Sequence, residues 1–276
     1  EYTLHVTEKK QGGNEDNNNT DKGEDKTVAV TGISLNRTDL TISKGKTATL
    51  TATVIPANAT NQTVTWSSDN KQVATVDASG TVKAVAKGTA KITATVGDKT
   101  ADCVVTVEIP ATKVKLNART VYMVKGKNLK IKATMTPDDT TDKLSVSNSK
   151  KAVATTSLKK NIITIKAKKP GKTIITVKTT SGRSYKCTVN VVNKATKSTK
   201  IKLNKKALSI KKGDSYDLVP KLTKKISTDT VKWNSSNKKI AVVDAYGTVT
   251  GKKGGTVTIT AKTSSGKKAT CTITVK

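Results

Sequence analysis

Cys103, Cys187 and Cys271 stand 84 residues apart, and each opens a segment of the same kind. The segments read Cys103-Val-Val-Thr-Val107, Cys187-Thr-Val-Asn-Val191 and Cys271-Thr-Ile-Thr-Val275. Equal spacing in matching context marks three copies of one unit. The thiols are equivalent positions, one per unit, so none has a partner inside its own unit. That argues against a disulfide framework and for a modular chain.

Other landmarks keep the same period. Each unit opens on an apolar-x-Leu-Asn step, at Ile33–Asn36, Val114–Asn117 and Ile201–Asn204, and a Lys-Gly pair follows at Lys44-Gly45, Lys125-Gly126 and Lys212-Gly213. The spacing predicts units over 28–108, 109–192 and 193–276. Each is the size of a small domain that must build its own core.

Val, Ile, Leu, Ala and Thr dominate, and the chain has no Phe. Such β-branched, turn-rich sequence predicts an all-β fold. Alternation agrees: Cys103, Val105 and Val107 share one strand face, and Lys130 and Lys132 flank Ile131. Asp77 and Gly80 bracket a tight hairpin turn, repeated at Asp244 and Gly247. The middle unit has Ser157-Leu-Lys-Lys-Asn161 there, for which a longer turn is expected. Short strands with frequent turns predict two-sheet sandwiches. Pro220 falls where Ala52 and Ala133 sit in the other units, so an edge strand or bulge is expected.

The order Leu35-Asn36, Lys44-Gly45, Pro56, Trp66-Ser-Ser68, Val73-Ala74, Val76-Asp77, Gly80, Ile92-Thr-Ala94 and Cys103 resembles the bacterial immunoglobulin-like group 2 family. The third unit follows it through Trp233, Ala241, Asp244, Gly247, Ile259 and Cys271. The middle unit departs, with Val146 in the Trp position. The resemblance implies tandem immunoglobulin-like β-sandwiches, and stalks, spacers or adhesive modules of bacterial surface and secreted proteins. By the same resemblance Trp66 and Trp233 are structural, in the place of a core Trp. Three sandwiches in series are expected to form an elongated array of roughly 100 Å.

The opening residues differ. Residues 1–8 alternate like the end of a preceding β-domain, and 9–27 form an acidic, Asn-rich stretch expected to be a flexible linker. No signal peptide or long apolar run is visible. The chain is expected to be the C-terminal part of a longer exported protein, extracellular or at the bacterial surface, without membrane insertion.

The net charge of +31 is unevenly placed. Residues 1–29 carry −3, 30–108 carry +2, and 109–192 and 193–276 carry +16 each. Such an excess opposes folding through self-repulsion, which points to a polyanionic partner. Only Arg37, Arg119 and Arg183 among the 51 basic residues are Arg. Base readout relies on Arg forks and single-strand binding on aromatics, so nucleic acid is disfavoured. Lysines are hydrated point charges suited to a phosphate-rich polymer. The candidates are Lys113, Lys115, Lys130, Lys132, Lys200, Lys202, Lys211 and Lys212. The expected partner is an anionic cell-wall polymer of the teichoic acid type. A glycan or matrix ligand, bound by an adhesin module or by an accessory region of an extracellular glycan-degrading enzyme, is the alternative, and no oligomer is implied.

Catalytic constellations are missing from the repeats. His5 is the only histidine and lies in the leading segment. No cofactor, metal or catalytic residue is expected. Cys103, Cys187 and Cys271 alternate with Val and read as small core residues. Asp77 and Asp244 read as turn caps, because no calcium loop surrounds them.

Overall fold

The computed structural model describes residues 27–223 and 226–276. The expectations for 1–8 and for 9–26, His5 included, lie outside the described residues. Within them the chain is all-β, built from 26 strands with no helix. The ladders fall into three sets, over 32–108, 113–192 and 201–275, and no ladder crosses between sets among the described residues.

Each set is a sandwich of the same plan. In the first, one sheet runs Asp39–Ser43, Lys99–Glu108, Gly88–Val96, Thr65–Ser68 in spatial order. Its first pair is parallel (Leu40↔Val105) and the others antiparallel (Ile92↔Cys103, Trp66↔Ala94). Facing it are a three-stranded sheet (Thr47–Thr49, Thr81–Ala84, Ala74–Val76) and a two-stranded one (Gly32–Leu35, Ala52–Ile55). The third sandwich repeats this with Ala207–Ile210, Lys268–Val275, Gly255–Thr263 and Val231–Ser235 in the four-stranded sheet. Period-2 patterning explains the layers: Ile92, Val105 and Val107 point between the sheets and are at most 1% exposed.

The repeated Leu-Asn step has a structural reason. Asn36, Asn117 and Asn204 accept at Oδ1 from the amides of Thr51, Lys132 and Val219, at 3.1, 3.0 and 2.8 Å. Each asparagine amide donates back to the carbonyl of that same residue, at 2.9, 3.1 and 3.1 Å. The side chain satisfies a backbone donor where the strand bends from one ladder to another, an unpaired amide there being costly.

That bend separates the middle unit from its neighbours. In the first and third sandwiches the strand breaks, because the Leu50 and Leu218 amides turn to the carbonyls of Gly80 and Gly247 (2.9 Å each). Pro220 is the first residue after the break and pairs with Leu203 in a two-stranded sheet, where its missing N–H is harmless. In the second sandwich Asn128–Thr136 is continuous and joins one four-stranded sheet with Lys113–Leu116, Ile162–Ala167 and Ala154–Lys159. The longer turn expected there is absent. Lys159 pairs with Ile162, which leaves a two-residue turn with Lys160 at φ 55°. Ladder pairing runs through Ser157–Lys159 and consumes the residues that a longer loop would need.

The second and third sandwiches lie side by side rather than end to end. Lys132, midway along its strand, reaches Asp244 of the third sandwich at 2.9 Å. Asp138, at the end of the second sandwich nearest the first, lines a cleft of about 690 Å³ with Lys211, Asp214, Tyr216 and Lys276, which lie at the far end of the third. The third unit therefore doubles back along the second, and the extended three-unit array is corrected. Asp214, Asp217 and Asp244, three of the four Asp and Glu residues after residue 192, sit on the side that meets the second sandwich, and Asp244 pairs with Lys132 there. Between the first and second units, Lys87 Nζ donates to the Asp139 carbonyl at 3.1 Å.

Candidate functional site

Alternation sets what the basic sandwiches present. Val114 and Leu116 are buried, so Lys113 and Lys115 stand outside on the same strand. Lys115 pairs with Thr134 and Lys130 with Thr164, which puts Lys113, Lys115, Lys130 and Lys132 on one outer sheet face. Lys200 and Lys202 flank buried Ile201, and Lys211 and Lys212 occupy the turn at the far end of the third sandwich; all four are exposed. The eight lysines thus come from three places in the fold: one sheet face of the second sandwich, the first strand of the third, and the turn at its far end.

Lys132 does not belong with the open lysines. Its side chain is 20% exposed, and its ammonium donates to Asp244 Oδ2 and Thr248 Oγ1, both at 2.9 Å. The Thr248 hydroxyl donates onward to Asp217 Oδ1 at 2.8 Å. Partial burial opposes ionisation of Asp244, but the Lys132 ammonium and the Thr248 and Tyr246 amides more than reverse this. The carboxyl is left below its ordinary range. Lys132 is a joint between sandwiches, and no polymer is needed to neutralise it.

Few of the other basic side chains among the described residues are in ion pairs. Two of the three ion pairs among the described residues, Lys91–Asp102 and Lys99–Asp98, are in the near-neutral first unit. The third is Lys132–Asp244. Asp142 and Asp229 are engaged elsewhere. Asp229 accepts from the Ser198 amide (2.6 Å) and the hydroxyls of Ser264 (2.7 Å), Ser265 (2.7 Å) and Ser227 (3.3 Å), clasping the inter-unit linker to the sandwich. Asp142 does the same through the Ala111 amide and the hydroxyls of Thr180 and Ser181.

Sequence reasoning missed the lysines on the opposite sheets. Lys172, Lys178 and Lys186 in the second sandwich, and Lys232, Lys262 and Lys268 in the third, are exposed at outward strand positions. Alternation within 255–263 and 268–275 carried half of the signal; the cross-strand register carried the rest.

The other singled-out residues hold the fold. Cys103, Cys187 and Cys271 are free and 0% exposed. Burial pushes the Cys187 thiol up to about 12 and raises Cys103 and Cys271 as well, which suppresses thiolate chemistry. Trp66 and Trp233 pack against the cores of their sandwiches. Asp77 Oδ1 accepts from the Ser79 amide (2.9 Å), the Ser79 hydroxyl (2.6 Å) and the Thr81 amide (2.9 Å), a turn cap that holds its carboxyl low. Among the described residues no three His, Cys, Asp or Glu side chains gather as a metal site would need. No helix among them is long and apolar enough to cross a membrane.

A 69-residue stretch, 25% of this chain, is 41% identical to lacto-N-biosidase of Bifidobacterium bifidum and spans 6% of that protein. This chain therefore corresponds to a small fraction of that relative's length. Domains 4–9 of the surface layer protein SbsC are 18% identical, over 90% of this chain and 48% of that one, with a TM-score of 0.35. Titin domains I67–I69 are 12% identical, over 91% of this chain and 99% of that one, also at 0.35. The profile of the bacterial Ig-like domain (group 2) matches residues 29–107 and 197–273, the first and third sandwiches. With more than half of its length matched, the chain belongs to the bacterial Ig-like domain (group 2) family.

Proposed function

We propose that this chain is a non-catalytic accessory region of an exported bacterial protein. Its second and third sandwiches hold it on an anionic cell-wall polymer of the teichoic acid type. One observation carries the reading. Two units of net charge +16 have, among the described residues, one ion pair between them, at Lys132–Asp244. Lysine ammonium groups left without carboxylate partners raise the free energy of the compact state until an external anion neutralises them. Diffuse lysine charge suits a flexible polyphosphate better than a shaped ligand.

The test is co-sedimentation of the full chain with purified Gram-positive walls, before and after extraction of teichoic acids. Binding at low salt that disappears on extraction supports the reading. Undiminished binding to extracted walls contradicts it.

The likeness to lacto-N-biosidase favours a second reading, an accessory region beside a glycan-degrading catalytic domain that grips glycan or matrix. In that case binding to neutral glycans would persist at high salt, where electrostatic retention fails.

A further inference from the structure

One structural row crosses three neighbouring strands at the same place in every sandwich, and its composition changes stepwise. In the first sandwich it is Thr65–Thr95–Thr100. In the second it is Ser145–Lys178–Ser184. In the third it is Lys232–Lys262–Lys268, with Lys232 directly opposite Lys262 and Lys262 directly opposite Lys268. All three are exposed, and none is in an ion pair among the described residues. Strands lie about 4.8 Å apart, so the three lysines spring from backbones within about 10 Å of one another on one face. Like charges directly opposite one another weaken a ladder. The chain keeps this arrangement in the third unit alone, although the first copy shows that three hydroxyl residues fit the same row.

The surroundings supply donors and no competing acid. The next rung on the face is Asn234–Thr260–Thr270, followed by Thr258–Thr272 and Thr256–Thr274. Three Thr–Thr rungs therefore continue the surface from the lysine row. Asp229, the carboxylate just before this strand, is held by the linker clasp of Ser198, Ser264, Ser265 and Ser227. The other three carboxylates of the unit lie on the opposite sheet, toward the second sandwich. The face is thus cationic at one end, hydroxyl-bearing along its length and free of acidic residues.

We propose that Lys232, Lys262 and Lys268, with the Thr260 and Thr270 hydroxyls beside them, form a localised binding site for the phosphate groups of a linear phosphodiester polymer. This rests on the wall-retention reading and sharpens it. Retention is centred on the outer sheet of the third sandwich instead of spread evenly over the lysines. Three ammonium groups in a line can engage phosphates spaced along one chain, and the hydroxyls donate to the remaining phosphate oxygens.

The test replaces the row by the residues of the first sandwich, as the triple variant Lys232→Thr, Lys262→Thr and Lys268→Thr in the full chain. A charge-matched control changes Lys205, Lys238 and Lys253 to Thr. Binding to purified poly(glycerol phosphate) is measured at low salt, with circular dichroism and tryptophan fluorescence verifying the fold. A Lys→Gln version of the row guards against a folding defect. The row variants are expected to weaken binding at least tenfold and the control less than threefold. Equal losses in both would overturn the row while leaving diffuse retention intact. A wild-type chain that binds no poly(glycerol phosphate) would remove the wall-retention reading itself, and the row with it.

Discussion

A Cβ on Gly80 would lie 2.8 Å from Cζ2 of Trp66, so the turn glycine is the floor on which the indole rests. Gly247 and Trp233 repeat the relationship at 2.7 Å. Where Val146 replaces the Trp, the Asp-x-x-Gly turn is gone as well, and Lys160-Asn161 closes the hairpin tightly. Trp and turn are one device, present or absent together.

Gly80→Ala therefore carries two costs. The residue sits at φ 79°, a left-handed backbone that costs a Cβ-bearing residue about 1 kcal/mol, and crowding against the Leu50 carbonyl oxygen and Trp66 adds about 1–3 kcal/mol. Gly45 has φ 81° but nothing within 4 Å, so Gly45→Ala should cost only the first part. Urea unfolding followed by Trp fluorescence should show Gly80→Ala as clearly the worse. Equal losses would mean that neither the Leu50 carbonyl nor the indole crowds the turn.

The all-β class, the three repeats and the Asp-Gly turns were legible in the sequence because alternation and turn chemistry are local. The tight Lys160 turn was not, since a lysine at positive φ leaves no compositional mark. Nor was the side-by-side arrangement, which depends on Lys132 meeting a residue 112 positions away. The lysine row is spread over residues 232, 262 and 268 and becomes a row only through strand register.

The Lys132–Asp244 joint should respond to pH in one direction. The carboxyl of Asp244 is held below its ordinary value, so its contribution is complete above about pH 4 and is lost as pH falls through the lowered value. Small-angle scattering should show the radius of gyration rising on acidification below that range, and in Lys132→Ala at neutral pH. An unchanged radius in the variant would mean that the joint does not hold the two units together.

The three cysteines should be inert in the native state. Each is fully buried with its thiol pKa raised, Cys187 the furthest, to about 12. A thiol reagent at pH 8 should react negligibly before unfolding and with all three thiols in denaturant. Rapid labelling of the folded chain would contradict their place in the core.

Retention of the two lysine-rich sandwiches by an anionic polymer must show in the salt dependence of binding. Affinity of the full chain for poly(glycerol phosphate) should be measured by titration from 0.02 to about 0.3 M salt, across which the screening length shrinks several-fold. Affinity should fall steeply, linear in log salt, because several counterions are released per chain. Affinity that is absent at low salt, or flat across the range, would contradict such retention.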